Sequence, residues 1–420
     1  MRRFMLTALA LVAALGITAS TASTATNETG VTAKTITIGG TFPLTGPASG
    51  YATIPAAMKA YFSYVNARRG PDGKRGVYGR QIVWKYLDDG YSPVQAGQLT
   101  KQLVEQDKVF SIVGSLGTEV NLAIRPYLNQ MKVPQMLVST GATTWGADWQ
   151  QYPWTTGWQP AYQLEGRFYG ETIAHSSPNA KIGVLYQNDD YGKDYLTGLK
   201  NGLGSKTSNI VDEEPFEVTA TSVAAQIAKL KGSGANVFMI FATPAKTIQA
   251  YATATALKWL PDAVYTNSVS ATDTFLTVAK TSYGAGALTS RTYTFQYAKD
   301  PANPIWNDDA GMKLYTQVMA KYYPKGRVTD ALNLYGVATA QAFTQLLYAA
   351  GKNPTRQSLI NAFRNWNEAN PFLLPGVKQR TSTKKPVVSQ FPIRCEQLRK
   401  FSDAGTFQPV SRTRCSVSGT

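Results

Sequence analysis

Polar, backbone-exposing loops recur in this sequence where strand-like runs hand over to helix-like ones. TFPLTGPASGY (41–51), GSLGTEVN (114–121), STGATTW (139–145) and QNDDYG (187–192) are each rich in Gly, Ser, Thr or Asn. Such loops deliver free backbone N–H groups at a helix start, where the partial positive charge favours an anion. The hydroxyls of Thr118, Thr143 and Thr144, with the N–H groups of Gly141 and Ala142, form a donor set suited to a carboxylate. The same residue types also cap helices without binding anything. The recurrence of the pattern is what points to a ligand.

Covalent chemistry has little to stand on. There is no G-x-S-x-G, no metal-spaced His or Cys cluster and no G-x-x-x-x-G-K-[ST] phosphate loop. The side chains of Asp88-Asp89 and Asp189-Asp190 diverge in a turn, which suits capping and loop rigidity. His175 closes a helix-like run and reads as a C-terminal helix cation. Cys395 and Cys415 lie close together, and in an oxidising compartment they most simply form one local disulfide. Two free thiols, or half a metal site, are the weaker readings. An enzyme is not expected, nor any cofactor or metal.

The elements that must position these loops follow a regular rhythm. At 420 residues, with 43% hydrophobic and 16% charged, the chain has globular composition and the length of two domains. Arg2 and Arg3 precede the apolar run LTALALVAALGI and then small residues, which predicts a signal peptide over 1–25 and an exported, soluble protein. No cysteine near that site offers a lipid anchor. The net charge of +16 is scattered rather than gathered into a stripe, so nucleic acid is not expected as a partner.

From Thr35, strands TITIGG, QIVWKYL, VFSIVG and VPQMLVS alternate with helices, and the rhythm restarts past Pro160 with KIGVLY, NIVDEEPF, ANVFMIF and AVYTNSV. Alternation of this kind predicts an α/β fold with parallel sheets covered by helices. The aromatic-rich WQQYPWTTGWQPAY reads as a crossover, and the region beyond Arg291 as two helices and a strand-poor tail.

In series, ITIGGTFPLTGP, YFSYVNARRG with Gly79-Arg80, DDGYSP, VEQDKVFSIVG, VPQMLVSTGAT and KIGVLYQNDDYGKDY resemble the extracellular solute-binding proteins of ABC transporters. The resemblance is to the branch that includes the leucine/isoleucine/valine-binding protein. It implies a type I periplasmic-binding-protein clamp: two Rossmann-like lobes joined by three crossovers, with ligand between them. It divides the chain into lobe I, 34–157 plus 291–376, and lobe II, 158–290 plus 377–420, with crossovers near Gly157, Arg291 and Val377.

Carried over residue by residue, it puts Thr118, Gly141, Ala142 and Thr143 on the carboxylate, with Tyr51 at the cleft mouth and Tyr191 opposite. Trp158, Thr243 and Ser268 complete the expected ligand-binding set. Ser268 stands where amino-acid binders carry an acidic partner for the ligand's ammonium, so an ordinary α-amino acid is not expected. The aromatics Trp145, Trp149, Trp154, Trp158 and Tyr162 suit either hinge packing or a planar aromatic acid. The implied function is a monomeric periplasmic receptor that passes a small carboxylate-bearing molecule (amino-acid-like, amide or aromatic acid) to an ABC importer's membrane permease. A sensory module reporting to a signalling receptor is the alternative.

Overall fold

The computed structural model describes residues 28–383 and 390–417. The expected signal segment at 1–25 lies outside the described residues. Alternating β and α elements build a parallel sheet and a second, mixed one. The first holds β1 (Thr35–Phe42), β2 (Gln81–Asp88), β3 (Ile112–Val113), β4 (Gln135–Val138) and β5 (Thr155–Gly157), in the order β2-β1-β3-β4-β5. The second begins with β6 (Ile182–Gln187), β7 (Ile210–Phe216), β8 (Val237–Phe241), β9 (Ala263–Thr266) and β10 (Thr292–Gln296). A short ribbon pairs β11 (Asn367–Glu368) with β12 (Gln379–Arg380). The strands β13 (Cys395–Phe401), β14 (Phe407–Pro409) and β15 (Arg414–Cys415) then return to the second sheet, whose order is β14-β13-β10-β9-β8-β6-β7 with β15 beside β13.

Burial explains the strand compositions. Every residue of β8, VFMIF, is buried, as a central strand covered on both faces requires. Helices Ile54–Ala67 and Ala331–Ala350 pack together on the first sheet, so a segment encoded far downstream completes its core.

The chain passes between the sheets three times: after β5, after β10 and before β13. Two passes fall later than Arg291 and Val377. Thr292 and Tyr293 pair with Val264 and Tyr265 inside the second sheet, and Glu368 pairs with Gln379 beside the first. The tail is also richer in strand than its composition suggests. Its strands β13 to β15 pair antiparallel with one another and with the distant β10, which leaves no βαβ rhythm to read. Cys395 and Cys415 face each other across β13 and β15 and are bonded. Among the described residues, no helix is long and apolar enough to cross a membrane.

The tightest helix contact joins Tyr162–Ser176 to Asp190–Leu203. A Cβ on Gly166 would meet Tyr195 O at 2.4 Å, and one on Gly198 would meet Gln163 O at 2.3 Å. Gly170 and Gly202 repeat the relation one turn on, at 2.4 Å from Leu199 O and 2.1 Å from Arg167 O. The four glycines therefore let two backbones touch, which brings the first turns of both helices together beneath the cleft.

Candidate functional site

The carboxyl ends of the two sheets face each other, and a cavity of about 110 Å³ lies between them. Open parallel sheets place ligands at this edge, where strands feed helix starts. The cavity wall is dominated by the rings of Tyr51, Tyr91, Tyr162, Tyr191, Tyr297 and Tyr335. Burial pushes all six hydroxyls above the usual tyrosine range, so they serve as neutral hydrogen-bonding groups.

Each loop is held by its own chemistry. Asp88 Oδ1 accepts from the amides of Leu44 and Thr45 at 2.9 and 3.2 Å, anchoring the loop that carries Tyr51. Asp189 caps its helix through the Gly192 amide at 3.2 Å and so fixes Tyr191. Both acidic pairs thus supply loop rigidity. Gly117 has φ +108°, and a Cβ there would lie 2.6 Å from the Tyr91 ring, so glycine both permits the turn and admits the ring. His175 sits exposed in the last turn of Tyr162–Ser176 and does not line the cavity.

Of the residues singled out from sequence, Tyr51, Thr118, Tyr191, Thr243 and Ser268 line the cavity together. Gly141, Ala142, Thr143 and Trp158 do not. The Ala142 amide donates to Thr140 Oγ1 at 3.2 Å, and the Thr143 amide donates across the cleft to Asp194 Oδ2 at 2.7 Å. Gly141 is packed against Pro160 O, where a Cβ would come within 2.4 Å. The Ala142 and Thr143 amides are thus occupied by protein partners. Trp158 is fully buried, and its indole N–H donates to Gln379 Oε1 at 2.7 Å. It packs edge-on against Tyr297 and Tyr335 and so buttresses two wall residues from behind.

The donors that remain belong to the helix Thr118–Gln130. Its first internal hydrogen bond is Asn121 N–H to Gly117 O at 3.1 Å, so the N–H groups of Thr118, Glu119 and Val120 precede the ladder. Lys299 lines the cavity as well, but its ammonium is held by Asp309 Oδ1 at 2.6 Å and Pro371 O at 2.7 Å.

The neighbourhood of Ser268 differs from expectation. Glu165 lies directly behind it, fully buried, and accepts from the Ser268 amide and hydroxyl, each at 2.7 Å. The hydroxyls of Tyr169 and Tyr195 donate to the same carboxyl at 2.8 and 2.7 Å. Four donors favour its charged form, while burial opposes it and raises its pKa. Glu396, buried nearby with no partner for either oxygen, is pushed well above the usual carboxylate range by burial. Glu165 was not legible as a site residue because it sits on a helix face otherwise filled by Leu164, Phe168 and Tyr169. Tyr91 had a local signal in DDGYSP, whereas Tyr335 arrives from a distant helix and had none.

Residues 35–393 match the family model described as periplasmic binding protein. The chain belongs to that family. Among solved structures, a fatty acid ABC transporter substrate-binding protein from Thermomonospora curvata is 21% identical, with a TM-score of 0.76 over 93% of this chain and 95% of that one. A branched chain amino acid ABC transporter from Thermus thermophilus with bound valine is 16% identical, with a TM-score of 0.77 over 92% and 98%. A possible leucine/isoleucine/valine-binding protein from Rhodopirellula baltica SH 1 is 17% identical, with a TM-score of 0.73 over 90% and 97%. These likenesses establish the two-sheet clamp. No curated protein matches the chain in sequence.

Proposed function

We propose that this periplasmic binding protein is an exported, monomeric receptor that closes on a small carboxylate-bearing molecule and hands it to the permease of an ABC importer. The observation that carries the reading is the tyrosine-walled cavity between the carboxyl ends of both sheets, with the start of helix Thr118–Gln130 opening into it. The unpaired amides of that helix start suit an anion, and the Thr118 hydroxyl, 2.6 Å from Thr140 Oγ1, can donate beside them by accepting the Thr140 proton. The lysine in the wall does not, since Asp309 already neutralises it. Two of the structural neighbours are named for carboxylic acids, a fatty acid and valine, which agrees with this chemistry. The apolar rings supply the remaining contact area for a compact hydrocarbon or aromatic body.

Calorimetry with paired carboxylates and their carboxamides tests the ligand class, starting from whatever small molecule mass spectrometry finds in the purified protein. Carboxylates are expected to bind at least tenfold tighter than the amides; equal or reversed affinities would reject the class. Small-angle scattering on saturation is expected to show compaction, the usual response of a hinged clamp. Loss of uptake on gene deletion separates import from sensing.

A further inference from the structure

The two halves of the clamp also touch away from the ligand cavity, at the first turn of the helix Asp273–Tyr283 on the second sheet's side. Phe275 projects from that turn into the core built on the first sheet. A Cβ on Gly50, in the loop after β1, would lie 3.4 Å from the Phe275 ring and 3.1 Å from Pro244. Arg327, between the helices Ala310–Tyr322 and Ala331–Ala350, donates to the Thr274 hydroxyl. Asp273 opens this turn and does not line the cavity. It is 9% exposed, and its Oδ1 has no hydrogen-bond partner. Charged groups face it from both halves. Asp300, on the crossover after β10, accepts from the Ala302 and Phe407 amides and has Arg399 nearby. From the first sheet's side come Asp330, which caps Ala331–Ala350, together with Arg327 and Tyr315. The helix Pro244–Ala256, packed alongside, brings Lys246, whose ammonium turns to Gln249 Oε1 at 3.4 Å. Burial and then the charge of Asp300 push the Asp273 carboxyl up to about 7, against the pull of Arg327.

We propose that Asp273 couples closure of the clamp to proton uptake: its carboxylate takes one proton from solvent as the halves meet and returns it as they part. Opening carries Asp273 away from Asp330, Arg327 and Tyr315 and into water, where an aspartate ionises at about pH 4. The closed form therefore holds the proton more tightly than the open one. Closure is favoured in full below about pH 4, and the advantage is lost as pH rises to about 7. The inference rests on the reading of the chain as a hinged clamp and is independent of the ligand's class.

Small-angle scattering of the ligand-free full chain, from about pH 5 to about pH 8.5, tests the coupling. Gly50→Trp, whose ring would wedge against Pro244 and Phe275, supplies the propped-open reference. The radius of gyration of the unaltered chain is expected to rise toward that reference as pH rises. Asp273→Asn, neutral at every pH, is expected to stay compact throughout, and so to be more closed than the parent at the alkaline end. A merely structural aspartate would instead leave Asp273→Asn more open than the parent at every pH. Asp300→Asn removes one of the two neighbouring negative charges and should move the midpoint of the transition to lower pH. A radius that does not change with pH in the unaltered chain, or a transition that survives in Asp273→Asn, overturns the inference while Gly50→Trp remains the larger. If all these chains share one radius at every pH, the halves do not hinge, and the clamp reading falls together with the coupling.

Discussion

Single residues decide what the cleft recognises, and their roles divide more sharply than their types suggest. Thr118 and Thr143 look equivalent as hydroxyl donors beside a loop, yet only Thr118 lines the cavity, while the Thr143 amide reaches Asp194. Thr118→Ala is therefore expected to weaken a carboxylate ligand by about 1.5–3 kcal/mol, one to two decades in affinity, with Thr143→Ala within about threefold of the parent in the same titration. Buried acids make a second expectation at this scale. Asp273, buried beside Asp300 and Asp330 and opposed by Arg327, is pushed up to about 7, chiefly by desolvation. Burial lifts Asp89 to about 6.

A carboxyl whose folded pKa lies above its unfolded value binds its proton more tightly when folded. The stability it lends is present in full below about pH 4 and is lost as pH rises through the folded value. The contribution of these two residues therefore falls between about pH 4 and about pH 7, and Asp273→Asn should flatten the dependence of melting temperature across that window. Local sequence pattern led to the cavity where a residue sat at a strand-to-helix loop, as Tyr51, Tyr191 and Thr243 do. It missed Glu165 and Tyr335 because proton direction and long-range approach leave no local pattern.

At the level of elements, the paired helices Tyr162–Ser176 and Asp190–Leu203 determine whether the lower wall exists at all. Their glycines allow backbone contact, and that contact brings the Tyr195 hydroxyl to Glu165 and the Gln163 amide to Asp194, at 2.7 and 2.6 Å. Adding a methyl at Gly166 or Gly198 pushes the helices apart. Gly166→Ala and Gly198→Ala should each cost about 1–3 kcal/mol in denaturant unfolding, as overpacking does. Gly97, in the helix Pro93–Lys101, is the contrasting case, because a Cβ there would meet nothing within 4 Å. Gly97→Ala should gain roughly 0.5–1 kcal/mol from helix propensity alone.

Apart from β5, the parallel strands up to residue 266 and the longer helices between them were legible in the 2- and 3.6-residue periods. β5 was hidden inside WQQYPWTTGWQPAY because three residues are too few to show alternation. β10 and β13 were hidden because strands that pair with distant or antiparallel partners carry no helix after them as a signpost.

The molecule as a whole is closed by its last segment. The Cys395–Cys415 bond spans 20 residues and ties β15 to β13. Replacing both cysteines by serine should lower stability by about 3 kcal/mol on loop entropy alone, measurable as a shift in the urea midpoint. β13 lies between β10 and β14, well inside the second sheet although it is made nearly last. The first sheet likewise waits for the helix Ala331–Ala350. A chain emerging from the ribosome therefore carries two unfinished sheets for most of its synthesis, with the β10 edge open to stray pairing. Commitment to the native state is late in both halves and latest in the second, so a chain stopped at Ile393, with the β10 edge unpaired, should aggregate.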